Sequence, residues 1–205
     1  MKTSQEIFWG GEFGSKYMSR NCSEELIASG VNFFSKALRR ADQVSTCIEF
    51  GANIGVNLKA LQCLFPTQDQ YALEINKDAA EVLSKTIPEK NVTVGSIFDF
   101  KPNMVWDLVL VKGLLIHIAP DSLEEAYEII HKSCGKHILI GEYYNPCPVS
   151  ISYRGHSEKL FKRDFCGEIL DKYDDLDLID YGFSYHRDNK FPQDDITWFL
   201  LSKNE

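Results

Sequence analysis

The chain has 205 residues, 44% of them hydrophobic, which is enough to build the core of one ordinary domain. Lys and Arg number 22 against 30 Asp and Glu, and no stretch concentrates the basic residues, so we expect no nucleic acid partner. No segment approaches the roughly 18 to 20 apolar residues of a membrane span. We therefore expect a single domain, residues 1–205, that neither binds nucleic acid nor enters a membrane.

The cysteine and acidic residues give further expectations about compartment and metals. The 6 cysteines are scattered without a C-x-x-C pair, a pattern typical of reduced thiols, so we expect a cytoplasmic protein. The acidic run DKYDDLDLID follows no calcium-loop spacing. No metal site is predicted.

The first elements in chain order alternate between helix and strand. After an aromatic leader, residues 23–41 carry apolar side chains at helical spacing. The short apolar runs that follow predict strands: STCIEF, QYALEI, NVTVGS, WDLVLVKG and KHILIGEYY. Helical segments near 55–65, 77–87 and 121–134 separate most of them. Such alternation is typical of a parallel sheet with helices on both faces, where ligands bind beyond the carboxyl ends of the strands.

The last part of the chain breaks this alternation. The segment KLFKRDFCGEILDKY predicts one more helix, and LDLIDYGFSY and DITWFLLS predict two further strands. The connection HRDNKFPQD is too short for a crossover helix, so these two strands should pair antiparallel. An α/β sheet of seven strands, mostly parallel with an antiparallel last strand, resembles the Rossmann-like fold of class I S-adenosylmethionine (SAM)-dependent methyltransferases.

The turn IEFGANIG after the first strand has the pattern of a cofactor site. A dinucleotide fingerprint would need glycine where the chain has Asn53 and Val56, which disfavours a nicotinamide oxidoreductase. The SAM-type turn E/D-x-G-x-G-x-G matches at Glu49, Gly51 and Gly55. Asparagine tolerates left-handed backbone, so the turn is expected to form with Asn53 at its middle position. Its amide either donates to the amino-acid end of the cofactor or serves only as a turn former.

The second and third strands provide the other cofactor residues. Glu74 ends the second strand, where an acid can accept hydrogen bonds from both ribose hydroxyls. The third strand ends in VGSIFDF, where this fold places the adenine. We expect Ser96 to hydrogen-bond the ring and either Ile97 or Phe98 to cover its face, with Asp99 as the competing polar candidate.

The fourth strand delivers three more candidates to the mouth of the sheet. Lys112 and Gly113 are predicted to contact the cofactor, although a solvated strand-end lysine is the alternative for Lys112. His117 follows in the segment LLIHIAP and is the leading candidate for a general base. Its alternative is a histidine packed in that loop.

Four segments together resemble the small methyltransferases associated with pseudaminic acid biosynthesis: FWGGEFGSKYMSRN, EFGANIG, LVKGLLIHIAPD and GEYYNPCPVSISYRGHSEKLFKRDF. The resemblance spans nearly the whole chain. It implies SAM as the cofactor and methyl transfer to a small sugar-derived acceptor, an anionic sugar or nucleotide-sugar, in nonulosonic acid or surface and flagellar glycan biosynthesis. A catalytically silent SAM-binding accessory protein of the same biosynthesis is the alternative function.

The acceptor side is predicted to follow the fifth strand. Three residues should face the mouth of the sheet: Tyr143, Tyr144 and Asn145. The loop that follows, with Tyr153, Arg154 and His156, would form an acceptor wall. An arginine suits bidentate binding of a carboxylate or phosphate, with a surface ion pair as the alternative. His117, Tyr144 and Arg154 are the expected catalytic set.

The leader is glycine-rich and aromatic and is predicted to close over the cofactor. Residues 1–42 would then be a lid and a helix on a core of residues 43–205, with Arg20 meeting the methionine carboxylate of SAM. A segment packed only for stability is the alternative.

Overall fold

Nine β-strands form in the part of the chain that the structure, a computed structural model, describes, namely residues 2–18, 24–153 and 155–204 without the side chains of 156–158. They are β1 (Thr46–Phe50), β2 (Asp69–Glu74), β3 (Val92–Val94), β4 (Trp106–Lys112), β5 (Cys134–Glu142), β6 (Val149–Tyr153), β7 (His156–Lys162), β8 (Leu176–Ser184) and β9 (Ile196–Lys203).

Seven of these strands form one sheet in the order β3-β2-β1-β4-β5-β9-β8. The strands from β3 through β5 are parallel, and β9 pairs antiparallel with both β5 and β8. The predicted fold class, a mostly parallel sheet with an antiparallel last strand, is confirmed. The predicted antiparallel pairing of the two final strands is also observed.

Helices cover both faces of the sheet. Those within the described residues are α1 (Ser4–Gly10), α2 (Glu12–Tyr17), α3 (Glu24–Ala37), α4 (Val56–Leu64), α5 (Lys77–Leu83), α6 (Leu123–Ser133) and α7 (Phe165–Lys172). One core layer joins α3, α4 and α5 to the sheet, and the other joins α6 and α7 to the opposite face. None of these helices is long and apolar enough to cross a membrane.

The central strand β4 explains why the sheet is stable. Its residues Leu108, Val109, Leu110 and Val111 are all fully buried, as expected of a parallel strand covered by helices on both sides. The continuous apolar run WDLVLV therefore contributes side chains to both core layers. It holds its carboxyl end, where Gly113 follows, at a fixed position in the middle of the sheet.

The predicted helix over residues 159–173 is wrong at its beginning. Residues 156–162 form β7, which pairs antiparallel with β6, so the predicted acceptor loop is a β-hairpin. The helix α7 begins at Phe165 because the side chain of Asp164 accepts a hydrogen bond from Gly167 N at 2.8 Å and caps it.

Candidate functional site

Two adjoining cavities open at the carboxyl ends of β1, β2 and β4. The first measures about 150 Å³ and lies beside β2 and β3, and the second measures about 320 Å³ and lies beside β5 and β9. Both are lined by the same five residues at their junction: Tyr17, Gly51, Asn53, Gly113 and His117. This junction lies where parallel α/β sheets bind ligands.

The turn after β1 follows a left-handed path at alternate residues. Gly51, Asn53 and Gly55 have φ of 76°, 50° and 83°. Asn53 is one of the few side chains that tolerates this region, which explains its place between two glycines. Gly55 caps α4 and is not among the residues lining either cavity. It packs against α5 instead, where a Cβ would lie 2.7 Å from Leu83 Cδ1. Its role in this structure is to shape the turn.

Glu74 lies in the first cavity and is tied to two backbone amides. Its Oε2 accepts from Asn53 N and its Oε1 from Asn76 N, both at 2.7 Å. Burial raises the pKa of the carboxyl, and hydrogen bonds with the backbone amides of Asn76, Asn53 and Ile75 oppose that shift. A carboxylate has about four acceptor sites, so it can still accept from a ligand hydroxyl.

Ser96 and Ile97 line the far end of the first cavity, next to Gly95. The Ser96 hydroxyl accepts from Phe98 N at 3.2 Å and also interacts with the carboxylate of Glu6 in α1. Partial burial raises the pKa of Glu6, but its hydrogen bonds with Ser96 and Thr3 outweigh burial and lower it. The competing candidate Asp99 is not among the lining residues.

The N-terminal helices form one wall of the first cavity. The lining residues from this segment are Thr3, Gln5, Glu6, Trp9, Gly14 and Tyr17. The indole of Trp9 packs against His117 with ring centroids 4.4 Å apart. Sequence reasoning predicted a lid here but not the individual contacts, because a lid residue carries no local signal for its distant partners.

Two buried polar atoms on the first cavity have no hydrogen-bond partner among the described residues. They are the indole nitrogen Trp9 Nε1, a donor, and the amide oxygen Asn53 Oδ1, an acceptor. Leaving buried polar atoms unpaired costs stability, so their joint presence fits a polar ligand that satisfies both.

Three ionisable residues lie under the second cavity. Glu49 and Glu142 are 0% and 3% exposed, and burial raises the pKa of each to about 8. Lys112 lines the cavity, and burial lowers its pKa against the opposing influence of both carboxyls. Glu49 lies behind the cavity wall, where its Oε1 accepts from Asn57 Nδ2 at 2.6 Å. The sequence-predicted cofactor residue Glu49 thus supports α4 and has no exposed surface toward the cavities.

Glu142 was not singled out from the sequence, and it supports the loop that carries His117. Its Oε1 accepts from the backbone nitrogens of Leu114 and Leu115, both at 2.9 Å. A buried acid at the end of β5 was visible in the run ILIGEYY, but its partners in the loop after β4 were not.

His117 lies at the junction of the cavities in a defined tautomer. Its Nδ1 is 2.8 Å from the carbonyl oxygen of Lys159 in β7. Because a carbonyl only accepts, Nδ1 carries the proton and Nε2 remains an acceptor. Burial lowers the pKa of His117 to about 4, although the bond to Lys159 opposes this shift. The imidazole is therefore neutral at physiological pH.

The second cavity is lined by some of the residues predicted for the acceptor side and not by others. Tyr143 lines it together with Tyr17, Tyr153 and Asp194. Tyr144 is 41% exposed and faces Phe199, with ring centroids 6.0 Å apart, because successive residues leaving β5 point to opposite sides. The predicted residues Arg20 and Arg154 lie outside the described residues.

Two features define the class I SAM-dependent methyltransferase fold. One is the strand order with an antiparallel β9 between β5 and β8, and the other is the junction of the two cavities at the ends of β1 and β4. Solved structures with this fold match over nearly the whole chain. DesVI of Streptomyces venezuelae matches with a TM-score of 0.65 at 11% identity, over 94% of this chain and 97% of that one.

Two further solved structures have the same fold. The sugar N-methyltransferase KedS8 of a Streptoalloteichus species has a TM-score of 0.67 at 13% identity, covering 96% of this chain and 94% of its own. The 1,6-didemethyltoxoflavin-N1-methyltransferase of Burkholderia thailandensis, with bound S-adenosylhomocysteine, has a TM-score of 0.69 at 14% identity, covering 100% of this chain and 92% of its own. Neither a scan of protein-family models nor a search of curated proteins found a match.

Proposed function

We propose that this protein is a SAM-dependent methyltransferase that transfers a methyl group to a small, sugar-derived acceptor. The observation that carries the proposal is the pair of cavities that meet at His117 beside the turn of Gly51 and Asn53. One cavity suits the adenosine part of the cofactor, and the other suits an acceptor. Their junction is where the transferred methyl group would lie.

The residues of the first cavity fit SAM. Glu74 would accept from the ribose hydroxyls, and Ser96 and Ile97 would contact the adenine. The unpaired Asn53 Oδ1 and Trp9 Nε1 offer an acceptor and a donor for its remaining polar groups. Gly51 and Gly113 would allow the cofactor to approach the backbone closely. Bound SAM supplies an electrophilic methyl group on a sulfonium.

His117 would position the acceptor more than deprotonate it. A group with a pKa of about 4 is a weak base at neutral pH, so its contribution as a general base is small. Its free Nε2 can instead accept a hydrogen bond from an acceptor O–H or N–H and hold the nucleophilic atom in place. Positioning and exclusion of water would supply most of the rate.

The second cavity favours a polar acceptor of sugar size. Three tyrosines, Tyr17, Tyr143 and Tyr153, offer flat apolar faces, and Lys112 and Asp194 offer charges of both signs. The resemblance of the leader and late segments to pseudaminic acid-associated methyltransferases supports an anionic sugar or nucleotide-sugar of nonulosonic acid or surface-glycan biosynthesis. A role for Arg20 in binding SAM and one for Arg154 in binding the acceptor stay predictions.

The test is mass spectrometry of incubations with SAM and a panel of nonulosonic acids, amino sugars and their nucleotide-activated forms. We expect one acceptor to gain the mass of a methylene, and the Glu74→Ala variant to lose SAM binding measured by calorimetry. SAM binding without product from any acceptor would favour the silent accessory protein. Absence of SAM binding in the parent protein would refute the proposal.

A further inference from the structure

One buried side chain, that of Asn76, joins the N-terminal helices to the cofactor side of the molecule. Asn76 lies between β2 and α5 and is 3% exposed. Its Nδ2 amide is 3.2 Å from each of three acceptors, the carbonyl oxygens of Trp9 and Gly11 and the hydroxyl of Ser15. The two N–H donors of this amide therefore serve three acceptors, which lie at the end of α1, in the turn after it and in the middle of α2.

The remaining polar atoms of Asn76 face the cofactor cavity and α5. Its backbone N–H donates to Glu74 Oε1 at 2.7 Å, and its Oδ1 accepts from Ala79 N at 3.1 Å as the N-cap of α5. Glu74 in turn holds Asn53 N through its other oxygen. A continuous chain of hydrogen bonds therefore runs from the glycine turn through Glu74 and Asn76 to Trp9.

The contact between α2 and Asn76 requires a glycine. A Cβ at Gly14 would lie 2.8 Å from Asn76 Nδ2 and would collide with the carbonyl oxygen of Trp9. Apart from the ring contacts of Trp9 and Phe13 with His117 and Tyr153, these helices bury little, since α1 has no buried residue and α2 buries only Gly14. Their position depends on polar contacts more than on a core, which is typical of segments that open locally.

We propose that Asn76 is a positioning residue, a latch that couples closure of α1 and α2 to the carboxylate of Glu74 and so sets how long the cofactor stays bound. The inference rests on the proposed function for its ligand. The helices form one wall of the first cavity and Glu74 lies on the other. Opening the cavity for exchange of SAM requires α1 and α2 to leave Asn76.

The variant that isolates the latch is Asn76→Asp. An aspartate keeps the acceptor that caps α5 and the backbone N–H to Glu74, but a carboxylate cannot donate to the carbonyls of Trp9 and Gly11. The matched control is Asp164→Asn, the reverse exchange at the N-cap of α7, where Asp164 is not among the residues lining either cavity.

Two measurements test the latch. Hydrogen exchange of residues 2–18 without ligand should become about tenfold faster in Asn76→Asp, the size expected from losing one or two hydrogen bonds, with α5 unchanged. The dissociation rate of SAM, followed by stopped-flow tryptophan fluorescence, should rise by about tenfold. The control should change neither. Unchanged exchange in residues 2–18, or an equal increase in α5, would overturn the proposal.

A second variant covers the case in which Asn76→Asp fails to fold. Ser15→Ala removes one of the three acceptors of Asn76, together with the hydrogen bond that Ser15 Oγ donates to Asp78 Oδ2 at 2.6 Å, and should give a smaller increase in both rates. Asp78→Ala removes only the second of these bonds and serves as the control, and equal increases in the two variants would assign the effect to Asp78 and overturn the latch. Unchanged rates in a folded Ser15→Ala protein would then overturn the latch. If the parent protein binds no SAM, the proposed function fails, whereas exchange in residues 2–18 still decides whether Asn76 holds the helices.

Discussion

At the scale of single residues, His117 shows how a fold can fix both the charge and the direction of a side chain. The carbonyl of Lys159 selects its tautomer, and burial beside Trp9 keeps the ring neutral. Both effects come from segments far away in the sequence. The position of His117 after β4 indicated that it would reach the site, but its protonation depends on β7 and α1, which no local pattern describes.

The neutral state of His117 predicts a specific pH dependence of stability. Its pKa of about 4 lies below its ordinary 6.5, so the unfolded chain takes up this proton more readily than the folded protein does. The contribution of the neutral, buried His117 ring to the free energy of unfolding is present above pH 6.5 and is lost as the pH falls through about 4. The free energy of unfolding of the His117→Gln variant should therefore rise relative to that of the parent as the pH is lowered over this window.

The measurement is urea unfolding of both proteins between about pH 4 and 8. A stability difference that does not change with pH would show that His117 titrates normally. For the parent protein, the plot of kcat against pH should show no step due to His117 between about pH 5 and 8, because the ring stays neutral in that range.

At the scale of elements, the ends of the parallel strands were the most predictable part of the site. Gly51, Glu74, Ser96 and Gly113 each follow or end a strand whose apolar run is visible in the sequence, and all four line a cavity. Carboxyl ends of parallel strands meet at one edge of a sheet, so strand assignment alone brings these residues together.

The β6–β7 hairpin and the beginning of α7 were not predictable in the same way. Phe161, Phe165 and Ile169 are spaced four residues apart, which indicates one continuous helix. In the structure Phe161 belongs to β7 and only the other two to α7, and all three are buried. The apolar spacing continues across the boundary, and the capping role of Asp164 is the only local sign of it.

Two glycines allow a matched test of the turn after β4. Gly113 and Gly155 have φ of 71° and 85°, and a Cβ at either would meet no atom of the described residues within 4 Å. Alanine at either position should cost about 1 to 2 kcal/mol in backbone strain. Only Gly113→Ala places its methyl group in both cavities. We expect it to weaken SAM binding at least about tenfold, because filling a packed site is unfavourable.

Thermal unfolding and calorimetry with SAM measure the two effects in the same samples. Gly155→Ala should show the loss of stability with unchanged affinity. Equal affinities in the two variants would place Gly113 away from the cofactor.

At the scale of the whole molecule, the two N-terminal helices are an addition to a core that is complete without them. Both core layers are built from residues of α3 onward. The predicted division into a lid and helix, residues 1–42, and a core, residues 43–205, stays a prediction, and α3 packs within one of the two core layers. The particular contacts of the leader, with Asn76 and His117, join residues more than 60 positions apart and leave no periodic trace in the sequence.

Removal of the leader tests this division. A chain of residues 24–205 should retain its circular dichroism spectrum and a cooperative unfolding transition, because α1 buries no residue and α2 only Gly14. It should bind SAM at least about tenfold more weakly, since Trp9, Glu6 and Tyr17 no longer close the first cavity. Calorimetry with the shortened and full-length proteins measures the difference. Equal affinities would leave the leader without a part in the site.

The place of β9 in the sheet has a consequence for the synthesis of the protein. The strand lies between β5 and β8, although both precede it in the chain, and β8 reaches the sheet only through β9. On the ribosome, β1, β2, β4 and β5 can therefore pair in the order in which they emerge, whereas β8 must wait with apolar residues such as Leu176 unprotected until residues 196–203 have been translated. The newly made chain thus carries an unfinished sheet edge at β5 late in translation, and that edge is open to pairing with a strand of another chain until β9 occupies it.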